Sequence, residues 1–300
     1  MINICYQRFV YYLFFASFSC CLLTTSCTIS PKTSTGSRNL TTFENIHLFD
    51  VANNRYTDLV NIIHDLKKNS IILIGEQHDN KSHHISQLQI IKALHTSNKR
   101  MAIGLEMFRS ESQHFLDLWV NGDITGKNFQ EAYTDNWNFP ISLYMMIFEF
   151  GKKEKIPLVG LNIPRSITFN IAKGGFQSLT KEEKEKLQNI VCKVDPDYEA
   201  YIKSAYGSHA HGNFNFTNFC EAQLAWDTIM AINSLKYLEN NQNTLMIVLS
   251  GFGHSLKWGI PEQIRKRSIA SYKAILPYVP GFIDPNSTTI KDVDYIIMSE

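Results

Sequence analysis

Two short turns carry the side chains of this 300-residue chain that are best suited to chemistry: Gly75-Glu76-Gln77-His78 and Gly251-Phe252-Gly253-His254. Histidine titrates closest to neutrality of all side chains, and its ring nitrogens can donate a proton, accept one or hold a metal. Glu76 stands two residues before His78, and in an extended backbone the two side chains point to the same side. A further carboxylate, Glu106, follows the apolar stretch Met101-Ala102-Ile103-Gly104-Leu105.

The elements that must position these groups are strands. Each turn follows an uninterrupted apolar run, Ile71 to Ile74 before the first and Leu245 to Leu249 before the second. Such a run ending in glycine reads as a strand buried on both faces of a parallel sheet. Residues just past the carboxyl ends of such strands line the ligand crevice of open α/β sheets. The two turns and Glu106 are therefore expected to face one site. Pro157 to Asn162 reads as another buried strand, and Tyr272 to Leu276 and Val293 to Met298 as closing strands, the last alternating like an edge.

Between the strands the pattern is helical. Tyr56 to Lys67 has Leu59, Ile62, Ile63 and Leu66 at helical spacing. Asp79 to Ser82 offers cap residues for a helix striped by Ile85, Leu88, Ile91 and Leu94. His83 and His84 fall in its first turn, where the helix dipole disfavours an imidazolium; one of the two is expected to face solvent. From Ser110 to about Asn243 the chain is mainly helical. The expected fold class is α/β: a central, mostly parallel sheet flanked by helices, with a largely helical insertion, over residues 43–300.

Other side chains are placed by context. Glu106 either serves the site or pairs with Arg109. Arg165 follows a strand and suits a planar oxyanion, or an interhelical salt bridge. In the helix beginning near Thr217, Gln223 and Asp227 interrupt an apolar face. A buried carboxylate needs a partner, so Asp227 is expected to bond a backbone turn or a histidine of the site. Residues 195–216 are loop-like and hold His209 and His211 with Tyr198, Tyr201 and Tyr206 nearby, a natural covering flap.

The formal net charge is +1 with no basic stripe, which argues against nucleic acid as a partner. At the N-terminus, Arg8 precedes an apolar stretch from Phe9 to Leu23, a length that fits a secretory signal. Small residues before Cys27, then a Ser/Thr/Pro-rich tether over residues 28–42, resemble a bacterial lipobox, with Thr24 where an aliphatic residue is usual. The expectation is a signal peptide over residues 1–27, lipidation at Cys27, export across the inner membrane and anchoring on the periplasmic side or at the outer membrane. Cys192 and Cys220 are the cysteines of the body, and their spacing alone does not establish a pair.

Several motifs in register resemble one family. They are Gly75 to His78, the His83-His84 pair, Gly104-Leu105-Glu106-Met107-Phe108, Leu161-Asn162-Ile163-Pro164-Arg165, Ala222-Gln223 with Trp226-Asp227 and Met230-Ala231, and Gly251 to His254. Over roughly residues 43–270 they resemble the ChaN-like haem-binding lipoproteins, within a wider group containing Tiki, TraB and the erythromycin esterases. The resemblance implies a lipid-anchored, exported protein that binds haem at a homodimer interface in iron acquisition. A haem site needs an axial ligand and cations for the propionates, for which Tyr144, Tyr206 and His209, with Arg165, are the candidates. The wider group implies a different reading, a metal-dependent hydrolase (protease or esterase). There His78, Glu106 and His254 would hold a divalent transition metal, Glu76 would act as general base or orient the ligands, and Asp227 and Gln223 would support from behind.

Overall fold

The computed structural model describes residues 46–96, 100–187, 196, 199–200, 202–203 and 215–298. A hairpin of β1 (His47–Asp50) and β2 (Arg55–Asp58) leads into α1 (Leu59–Leu66), β3 (Ile71–Glu76), α2 (Lys81–His95) and β4 (Arg100–Arg109). Helices α3 (Gln113–Asn121), α4 (Gly126–Asn136) and α5 (Met145–Lys153) precede β5 (Leu158–Asn162). Then come α6 (Arg165–Gly174), α7 (Lys181–Lys186), the long α8 (Phe216–Asn240) and β6 (Thr244–Gly251). The chain closes with α9 (Phe252–Ser255), α10 (Ile260–Arg265), β7 (Tyr272–Pro277) and β8 (Tyr295–Ile297).

The eight strands form one sheet in the order β2-β1-β8-β7-β3-β6-β4-β5. Every pair from β8 to β5 is parallel, while β1 pairs antiparallel with both β2 and β8. The expected α/β class with a mostly parallel sheet is what the chain adopts. The apolar runs follow from burial on both faces. Ile72, Ile74, Ile103, Leu105, Ile247 and Leu249 pack with the aromatic residues of α3, α4 and α5. Ile71, Leu73, Ala102, Met246 and Val248 pack against α6, α8 and α10. Each such buried Val, Leu, Ile or Met side chain contributes about 1.5–3 kcal/mol.

Register explains why the two Gly-x-x-His turns meet. In the parallel β3–β6 pair Gly75 lies opposite Ser250 and Glu76 opposite Gly251, so both turns leave adjacent central strands at one level. Gly75 is required by packing: a Cβ there would sit 2.1 Å from Leu276 Cδ2 and 3.1 Å from the α-carbon of Phe252.

Two expectations are corrected. The helix read from Tyr56 begins only at Leu59, because Tyr56, Thr57 and Asp58 pair with Phe49, Leu48 and His47 of β1. The last strand is not an edge, because β1 covers its outer side and β7 its inner one; its alternation is shared between two buried faces. Among the described residues no helix is long and apolar enough to cross a membrane.

Candidate functional site

At the carboxyl ends of β3, β6, β4 and β5 lies a cavity of about 660 Å³, within the usual range for small-molecule sites. Its walls include Glu76, His78, Glu106, Arg109, Trp137, Phe139, Arg165, Phe219, Gln223, Trp226, Gly251 and His254. Parallel-strand ends, not one contiguous segment, assemble it, as expected for an open α/β sheet.

The β3 side is built on a buried carboxylate. Glu76 Oε1 accepts from His78 Nδ1 at 2.9 Å and from the Tyr144 hydroxyl at 2.5 Å. Its Oε2 lies 3.0 Å from His84 Nδ1. The His84 Nε2 sits 3.2 Å from the His78 carbonyl, and its Nδ1 also faces Gln87 Oε1 at 3.3 Å. Gln87 donates its own amide to the Ile74 carbonyl, so both nitrogens of His84 meet acceptors only, a setting that favours the imidazolium. Burial opposes charge on Glu76, but the bonds from His78 and His84 win and hold its pKa at about 2. For His84 and His78 burial likewise opposes charge and is outweighed by the Glu76 hydrogen bond, so both pKa values are raised.

The two histidines in the first turn of α2 shift in opposite directions, and burial and neighbouring charges set both. Burial lowers the His83 pKa, and its Nδ1 accepts from the Gln77 backbone at 3.0 Å. Neither ring faces solvent: His83 is 4% exposed and His84 0%.

The β6 side is built differently. His254 Nδ1 donates to Asp227 Oδ1, on α8, at 2.7 Å. Its Nε2 stands 3.7 Å from Glu106 Oε1. Burial disfavours the imidazolium, but the charges of Asp227 and Glu106 push the His254 pKa up to about 9. Glu106 lies within β4, which continues to Arg109 through a register shift. Its Oε2 accepts from the Gly251 backbone at 2.7 Å. Arg109 pairs instead with Asp135 and Glu111.

His78 and His254 are therefore on one cavity, each with Nδ1 on a carboxylate. Glu76, Glu106 and Gln223 share it, and Asp227 stands directly behind His254. Arg165 lies exposed at the cavity wall, at the start of α6, and makes no ion pair among the described residues. Tyr144 is not on the wall. It is 0% exposed, its hydroxyl is held by Glu76, and burial followed by the Glu76 charge raises its pKa. It is thus placed as a support of Glu76. Tyr206, His209 and Cys27 lie outside the described residues, as do residues 1–45, Cys192, His211, Tyr198 and Tyr201. Cys220 is buried and disulfide-bonded, its partner outside the described residues.

Among the described residues no group of three or more His, Cys, Asp or Glu side chains has the arrangement of a metal site. Asp227 and Glu76 occupy the Nδ1 atoms of the two rings, and His254 Nε2 and Glu106 do not close to ligand spacing. The divalent-metal set of His78, Glu106 and His254, and with it the metal-dependent hydrolase, is not supported.

Sequence reasoning missed His84 and Tyr144 as partners of Glu76, and Trp226 beside His254, whose ring centroids are 6.0 Å apart. One signal was available for His84. A buried glutamate needs a cation or donors, and a histidine in the first turn of the following helix is brought back over the strand end.

The haem-binding uptake family of the Tiki superfamily, typified by ChaN, matches residues 62–264, more than half of the chain. The chain belongs to this family. Among solved structures, it is similar to ChaN of Campylobacter jejuni, described as binding haem cofacially, at 24% identity. That match covers 85% of this chain and 97% of the other, with a TM-score of 0.67, and the two share a fold. Fainter likenesses are to an erythromycin esterase mutant in its open conformation (13% identity, 80% and 78% covered, TM-score 0.46) and a Bacillus cereus protein (15%, 74% and 69%, TM-score 0.46). No curated protein sequence matches the chain.

Proposed function

We propose that this protein binds haem in the cavity above β3, β4 and β6 and serves haem or iron acquisition as an exported lipoprotein. Family membership carries the reading, and the chemistry of the wall fits the group. Trp137, Phe139, Phe219 and Trp226 offer apolar, aromatic surface. The Trp137 indole N–H is buried without an acceptor among the described residues, and the Arg165 guanidinium is unpaired there. Donors without partners on an aromatic wall complement a flat macrocycle bearing carboxylates. When bound, haem supplies an iron centre able to exchange ligands and electrons. The chain's own residues seat the macrocycle, orient its propionates through Arg165 and shield it from water.

Export and lipidation at Cys27 rest on the leader pattern, and the bonded state of Cys220 is in keeping with an oxidising compartment. A homodimer is part of the same reading, supported by the cofacial haem described for the Campylobacter jejuni protein. The test is titration of the purified, detergent-solubilised protein with haemin. The expected result is a saturable Soret change and a doubled mass on haem loading. Absence of a saturable change sinks the reading. For the anchor, metabolic labelling with fatty acid is expected in the wild-type chain and lost in Cys27→Ala.

A further inference from the structure

Resting on the lipoprotein reading, we infer that the turn Val279–Ile283 is a membrane-contact element, which sets the rim of the cavity against the bilayer to which the chain is tied. Two independent observations point to the same end of the sheet. The first is where β1 begins. Met298 N donates to the His47 carbonyl at 2.9 Å, so β1 starts beside the end of β8. Because β8 runs parallel to β7, and β7 to β3, that point lies at the carboxyl ends of the parallel strands, where the cavity is. An anchor at Cys27, with residues 28–45 between it and Ile46, therefore joins the folded part at the cavity end. Those residues span at most about 65 Å, so attachment alone does not choose the face that touches lipid. The second observation does.

Ile275 of β7 lies opposite Ile74, so the strand's end at Pro277 is level with Glu76, and the turn that follows stands beside the cavity. The turn is a built projection. Val279 N donates to the Ile283 carbonyl at 3.0 Å, and Phe282 N and Ile283 N both donate to the Val279 carbonyl, at 2.9 and 2.8 Å. Val279 and Ile283 are buried with Leu256, Leu276 and Ile296. At the tip Gly281 has a φ of +79°, and a Cβ there would meet nothing within 4 Å; glycine adopts that conformation freely. Phe282 is left 50% exposed, its ring centroid 6.2 Å from that of Phe252, and Phe252 lines the cavity. The stretch Pro277-Tyr278-Val279-Pro280-Gly281-Phe282-Ile283 carries no charge. A single exposed apolar residue is ordinary on a soluble surface. This one is held outward by a hydrogen-bonded turn, beside an aromatic cavity, on the end where an acyl chain would tie the molecule. Apolar and aromatic side chains seat at the boundary between headgroups and acyl chains. The recognising chemistry is apolar burial and not headgroup charge, because the turn has none.

The test uses the full-length protein reconstituted into vesicles containing bromine-labelled phosphatidylcholine, which quenches nearby tryptophan. Phe282→Trp is compared with Ile269→Trp. Ile269 is fully exposed and precedes β7, so the six residues of that strand put it about 20 Å from the turn. Both variants are read as differences from the wild type with its four tryptophans. The expected result is loss of most of the added emission in Phe282→Trp, the same at low and high salt, and none in Ile269→Trp. Equal quenching of the two, no quenching in either, or quenching in Phe282→Trp that disappears in high salt overturns the inference. A blue shift in Phe282→Trp that follows protein density and ignores the brominated lipid assigns the turn to a second copy of the chain, and overturns it too. Wild-type protein that does not float with the vesicles fails the lipoprotein reading instead, whereas protein that floats with unselective quenching fails this inference alone.

Discussion

The cavity holds two imidazole–carboxylate pairs that look alike and are built on different plans. On the β3 side the carboxylate comes from the strand itself, and Glu76 is met by His78, His84 and Tyr144. On the β6 side the carboxylate comes from a neighbouring helix, and Asp227 meets His254 across the gap between α8 and α9. The first pair sits on a closed ionic cluster in which His84 neutralises Glu76. The second balances one imidazolium against two carboxylates, Asp227 behind and Glu106 in front. The same local chemistry is therefore anchored in the core on one side and in an interface between elements on the other.

The largest effect expected to separate the plans is on stability. Glu76→Leu leaves the His84 imidazolium buried without its counter-charge, and should cost about 3–5 kcal/mol in urea unfolding. If the loss were under about 1 kcal/mol, the cluster would not be the anchor described, since breaking a buried ion pair is rarely so cheap.

Next comes pH. The folded pKa of His254 is raised to about 9 from an ordinary 6.5, so its contribution is complete below about 6.5 and fades as pH climbs through about 9. A shift of that size corresponds to at most about 3–4 kcal/mol at 1.36 kcal/mol per unit. Asp227→Asn should flatten the alkaline limb of stability against pH, and an unchanged limb would show that Asp227 does not hold the charge. Glu76 runs the other way: its folded pKa of about 2 lies below the ordinary 4.5. Its stabilisation is present above 4.5 and lost as pH falls towards 2, so the two pairs should be weakened at opposite ends of the scale.

Tyr144→Phe removes one donor from Glu76 while keeping the ring, and should cost about 1.5–3 kcal/mol, the usual worth of a hydrogen bond to a charged group. Thermal denaturation measures it, and a neutral result would mean that water replaces the hydroxyl. The smallest effect is expected at the rim. Arg165→Ala should leave folding unchanged and weaken haemin binding about fivefold, near 1 kcal/mol for an exposed charge, with the deficit shrinking in high salt.

How much of this could be read in advance depends on which interactions are local. Strands β3, β4, β5, β6 and β7 announce themselves because burial on two faces leaves no polar residue in runs such as Ile71 to Ile74. The β1–β2 hairpin did not, because its four-residue strands carry Arg55, Asp58 and His47 and are fixed by pairing with each other. The convergence of Gly75–His78 with Gly251–His254 was legible, since parallel neighbours put their carboxyl ends on one side. Their detailed partners were not. Tyr144 reaches Glu76 across 68 residues, and nothing in its own surroundings distinguishes a residue that lines a cavity from one that braces its floor.

The cluster beneath His78 also has a consequence for lineages. Glu76 is buried and held by both His84 and Tyr144, so losing Glu76 strands both of its partners at once. Descendants that abandon this chemistry should discard all three as a block. Two relatives that differ at only one of them would mark the route by which such an exchange was made, and sequencing around that branch would reveal which member left first.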